Sequence, residues 1–91
     1  MIAPEAKYSI ARVHYGYGYY DEAVPEFLRV IKEHPKHKRS EQAADLILDT
    51  YNLKKDWVNV DAYARKFVRN RYLMKNPEFK SHVQELSLIH I

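Results

Sequence analysis

Five histidines, eight tyrosines and no cysteine set the limits of the chemistry open to this chain. His34 and His37 stand at i, i+3, the spacing of two metal ligands on one helical face. Pro35 interrupts them and no third histidine adjoins, whereas a metal site needs three or four converging donors. No metal site is assigned. Tyr15, Tyr17, Tyr19 and Tyr20 offer a possible stacking platform for bases. Their spacing around a helix end is better met by hairpin packing, with Tyr17 and Tyr19 the most exposed. Asp45 and Asp49 lie one helical turn apart on an expected surface, and no general base, nucleophile pair or phosphate-cradling glycine loop accompanies them. No catalytic residue, cofactor site or enzymatic activity is expected.

Charge is uneven. Residues 1–35 hold four Lys/Arg against five Asp/Glu, and residues 36–75 hold ten against five. Lys36, Lys38, Arg39, Lys54, Lys55, Arg65, Lys66, Arg69 and Arg71 form this basic half. Anionic membrane or nucleic acid is therefore an alternative partner. A net charge of +3 with interspersed acids is nonetheless far from the basic stripe of a nucleic-acid binder. No apolar run approaches the ~20 residues of a membrane span. The first residues lack a basic-then-apolar leader pattern.

The elements that position these residues are all helices. Pro4-Glu5 opens the first, expected over about 5–16, with Ala6, Ile10, Ala11, His14 and Tyr15 on its packed side. Gly16-Tyr17-Gly18 holds the only two glycines and marks a tight turn. A second helix follows with Asp21 and Glu22 facing its dipole. Its stripe is Ala23, Phe27, Val30 and Ile31, edged by Val24 and Leu28, and it stops at His34-Pro35. Lys36–Arg39 reads as a connector with Ser40 as the N-cap, or alternatively as chain already coiling into the next helix. The third helix buries Ala43, Ala44, Ile47, Leu48 and Tyr51 and stops near Asn52. The fourth begins at Asp56 and packs through Trp57, Val60, Ala64 and Phe67. Residues 70–75 read as irregular. Asn76-Pro77-Glu78 then opens a closing helix through Phe79, Val83 and Leu86.

The two helix pairs repeat at an offset of 37 residues, matching Gly18-Tyr19-Tyr20 with Lys55-Asp56-Trp57 and Phe27 with Ala64. The first pair resembles the tetratricopeptide repeat through Ile10, Ala11, Gly18, Tyr20, Ala23, Phe27 and Pro35. The second departs from it, with Leu48 and Val60 in place of small residues and Tyr72 in place of the proline. The linker H-P-K-H-K-R-S and the segment from Leu46 to Trp57 resemble bacterial cell-envelope members of that family, of the outer-membrane assembly lipoprotein and gliding-machinery type.

The resemblance implies an all-α superhelix in one domain over 1–91. Its first repeat would cover 5–35, its second 40–72, and its closing helix 77–89. It also implies a scaffold that binds a protein or peptide in a concave groove, or else a structural spacer. Carried over by alignment, the groove residues are Glu5, Tyr8, Arg12 and Tyr15 from the first pair and Gln42, Asp45, Asp49 and Asn52 from the second. A bacterial periplasm is the compartment implied, with the cytoplasm as alternative. The apolar ending from Leu86 to Ile91 is expected to mark a truncated array or a tail foreign to it, with further repeats beyond.

Overall fold

The computed structural model describes residues 3–89, and their side chains as far as Leu86; the apolar tail after it lies outside the described side chains. Six helices follow one another: α1 (Pro4–Gly16), α2 (Tyr20–Glu33), α3 (Lys38–Leu53), α4 (Trp57–Val68), α5 (Arg71–Met74) and α6 (Pro77–Ile89). No strand occurs among the described residues.

The two hairpin turns are built alike. In the first, Gly18 takes φ +80° and the Tyr19 N–H donates to the His14 carbonyl at 2.8 Å. In the second, Lys55 takes φ 56° and the Asp56 N–H donates to the Tyr51 carbonyl at 2.9 Å. Each residue of the first turn has its equivalent in the second 37 positions later. A left-handed residue just past the last helical turn lets the next N–H reach back and satisfy a stranded carbonyl. Glycine does this without strain, and Lys55 does it against the steric cost of its Cβ.

The packed stripes form one core. Ala11, Ala23, Phe27, Ala43, Ala44, Ile47, Leu48, Val60, Ala64 and Phe67 are buried, as are Phe79, Val83 and Leu86 of α6. Full burial of a ring such as Phe27 is worth about 2–3 kcal/mol relative to exposure. Aromatic contacts continue the core from one element to the next: Tyr8 on Phe27 at 5.7 Å, Tyr51 on Tyr63 at 5.4 Å and Phe67 on Phe79 at 6.1 Å.

Several expectations need correction. Ser40 is no N-cap: it is buried, and its hydroxyl sits 2.5 Å from the His34 carbonyl and 3.2 Å from that of Val30. Helix α3 starts earlier, at Lys38, because His37 caps it by accepting from the Arg39 N–H at 3.1 Å. It also runs past Asn52 to Leu53. Residues 71–74 are helical rather than irregular. Asn70 Oδ1 accepts from the N–H groups of Tyr72 and Leu73, and Leu73 is fully buried.

Trp57 is 41% exposed instead of buried, since it opens α4 at the hairpin tip, where α3 has ended. Ala6 is exposed and Ile10 is 48% exposed, on the side of α1 turned away from the core. His14 is half-buried between α1 and α2, where its Nδ1 lies 2.6 Å from Glu26 Oε1. It is a hydrogen-bond partner of Glu26 rather than a core residue. The caps at Asp56 and Asn76 are as expected, accepting from Asn59 and from Glu78 and Phe79 respectively.

Candidate functional site

Cross-contacts fix how α1, α3 and α6 lie. Glu5 meets His37 and Tyr8 meets Arg39, so α3 advances alongside α1 in the same direction. Glu41 meets Asn76 and Asp49 meets His82, so α6 advances alongside α3 in the same direction again. These three helices present one shared face. Helices α2 and α4 pack behind them.

Glu5, Tyr8, Arg12 and Tyr15 stand on α1, and Gln42, Asp45, Asp49 and Asn52 on α3. Most of them converge in two groups. At one end the Arg39 guanidinium covers the Tyr8 ring at 5.1 Å and donates to Gln42 Oε1 at 2.6 Å. Beside it, Glu5 Oε1 sits 3.3 Å from His37 Nε2. The acceptor role of His37 Nδ1 leaves the ring proton on Nε2, facing this carboxylate.

Toward the other end the Arg12 guanidinium lies 5.2 Å from the Tyr15 ring centre. Burial, and then the charge of Asp49, raise the Tyr15 hydroxyl above its ordinary pKa. Asn52 is half-buried at the end of α3, where its carbonyl is occupied by the Lys55 N–H, and joins neither group.

Asp45 is the most perturbed group. One of its oxygens is buried and has no hydrogen-bond partner among the described residues. Burial raises its pKa to about 6; His82 opposes the rise, while Asp49, Glu41 and Glu78 add to it. His82 Nε2 stands 3.4 Å from Asp49 Oδ1, within ion-pair reach but outside hydrogen-bond geometry. This end of the face therefore holds a carboxylate that gains from any donor placed against it.

Arg39, His82 and Glu78 escape a reading by alignment. Arg39 falls in what reads as a linker, and the other two lie on α6, whose position depends on how it packs. The Arg39/Gln42 spacing of three residues is the one local signal. Among the described residues, no group of three or more His, Asp and Glu has the geometry to hold a metal ion. No helix is long and apolar enough to cross a membrane among them. No family model, curated protein or solved structure matches the chain.

Proposed function

We propose that the chain is a segment of a tetratricopeptide-type array, a protein–protein interaction scaffold that holds an extended peptide on the face formed by α1, α3 and α6. The observation that carries this reading is a pair of equivalent surfaces 37 residues apart. Ala43, Ile47 and Thr50 are fully buried on α3, a helix that packs against α1 and α2 of the first hairpin. Their counterparts on α1 are Ala6, Ile10 and Val13, and all three are exposed, Val13 at 57%. The first hairpin thus presents the surface that the second one covers. A unit that buries its apolar side only against a neighbour is the basic element of a helical array. The like direction of α1, α3 and α6 agrees with α6 serving as the leading helix of a third unit.

On this reading the shared face is the peptide groove. Stacked arginines at Tyr8 and Tyr15 would take carboxylates or backbone carbonyls of the ligand, and Asp45 and Asp49 would take its amide or cationic donors. A display library of random peptides selected against the chain tests this. Selected binders lose about tenfold or more in affinity in Arg12→Glu and Asp49→Lys, and nothing in Val58→Ser on the outer side of α4. Binders indifferent to both groove substitutions would remove the reading.

A further inference from the structure

On the opposite side of the molecule, α2 and the α4–α5 corner enclose an open cleft of about 1060 Å³. Pro25, Leu28, Ile31, Pro35 and Phe67 give it an apolar lining. Its walls are basic: Arg29 and Lys32 on one, Lys66, Arg69 and Arg71 on the other. The cleft continues into a smaller recess formed by Lys36, Arg71, Tyr72 and Lys75. There all three cations crowd one ring, at 5.5, 5.2 and 5.8 Å from the Tyr72 centre.

Seven cations thus surround the cleft and recess. The one acid among the lining residues, Glu33, is already engaged by Lys7 of α1. Among the described residues none of the seven is held in an ion pair. Lys32 and Lys66 lie in the last turns of α2 and α4, where a cation offsets the helix dipole. Arg69 and Lys75 are the C-caps of α4 and α5 and Arg71 lies in the single turn of α5, so that explanation leaves Arg29 and Lys36 outside it.

We infer that this cleft is a second docking site, distinct from the peptide face, for an acidic segment of a partner protein that inserts an apolar side chain between its charges. Charge complementarity supplies the first half: like charges held together repel, and an anionic ligand relieves that repulsion while steering its own approach. The shape supplies the second. Cations on two facing walls around an apolar lining suit a chain carrying carboxylates on both flanks of a Leu or Phe anchor. A flat bilayer would reach only the rims. A single-stranded nucleic acid stacking its bases here would need a free ring face, and cations already cover Tyr72.

The test is fluorescence anisotropy with the whole chain. The probe is a labelled peptide of alternating Asp/Glu and Leu, compared with the same peptide carrying Ser for Leu, phosphatidylserine vesicles and oligothymidylate. The leucine peptide binds best and loses about tenfold or more on Leu→Ser. It also loses about tenfold or more in the double variant Arg71→Glu/Lys75→Glu, whose helicity is unchanged by circular dichroism. Val58→Ser, outside both the peptide face and the cleft, leaves it unchanged. Equal binding of the serine peptide, tighter binding of vesicles or oligothymidylate through the same cations, or no peptide binding would each overturn the inference.

Discussion

The two hairpins share a backbone plan but fill it with opposite side chains. In the first, Ala11 on the leading helix is matched by Phe27 on the following one; in the second, the aligned pair is Leu48 and Ala64, and all four are buried. The bulk has crossed from one helix to the other while the interface stays filled. Position 14 pairs with 26 as His14–Glu26, and the equivalents 51 and 63 form a nearly parallel tyrosine stack with an interplanar angle of 9°. The turns differ as Gly18 differs from Lys55. What the pair teaches is that the 37-residue spacing and the turn hydrogen bonds are the constant part. Packing is met by total volume rather than by a fixed residue at each place.

The strongest way to break this comparison is at a fully buried ring. Phe27→Ala leaves a cavity in the first hairpin and costs about 3–5 kcal/mol in urea unfolding, enough to remove most of the helical signal from a chain this small. Ala11→Leu combined with Phe27→Ala imports the second hairpin's arrangement. It recovers roughly 1 kcal/mol or more over the sum of the two single changes. Strict additivity would mean that the hairpins are not interchangeable in volume.

Repeating residues 1–37 upstream of the chain covers Ile10 and Val13 and raises the thermal midpoint by roughly 5 °C or more; an unchanged midpoint would deny the two surfaces their equivalence.

Smaller effects sharpen the contrast between the turns. Gly18→Ala forces a Cβ into the left-handed region and costs about 1–2 kcal/mol, although the space around it is open. Asp45 has no carboxylate counterpart, because its equivalent in the first hairpin is Tyr8. Its folded pKa is raised above its unfolded one, so the native state holds the extra proton. Stability contributed by the neutral acid is lost as pH rises from about 4 toward 7. Screening in this half-open setting limits the loss to roughly 1 kcal/mol. Asp45→Asn flattens that slope in urea titrations at several pH values. Lys55→Gly relieves the second turn and stabilises the chain by about 0.5–1 kcal/mol in the same assay.

Much of the helical plan is legible from residues acting locally. Two glycines in three positions, the Asn-Pro-Glu opening of α6 and the Ala/Phe periodicity of α2 each decide their own neighbourhood. The rest depends on distant chain. A four-residue helix such as α5 has only the adjacent Leu73 and Met74 against the core, too little to register as a period. A buried serine reads like a capping serine until the carbonyls above it are placed. Ile10 and Trp57 have helical spacing but no neighbour to cover them fully. Within the candidate peptide face, alignment reaches the α1 and α3 residues but not Arg39 or His82. The basic cleft joins residues 25–36 to 66–75, so its shape exists only once the hairpins have packed.

The Ser40 hydroxyl has a mechanical consequence. By tying the root of α3 to the carbonyls of Val30 and His34, it takes up slack that a charged linker would otherwise leave between the two hairpins. Under the proposed function, a peptide lying along α1 and α3 would meet a groove whose width is set at this root, and selection among ligands would fall to the torsions of a few long side chains.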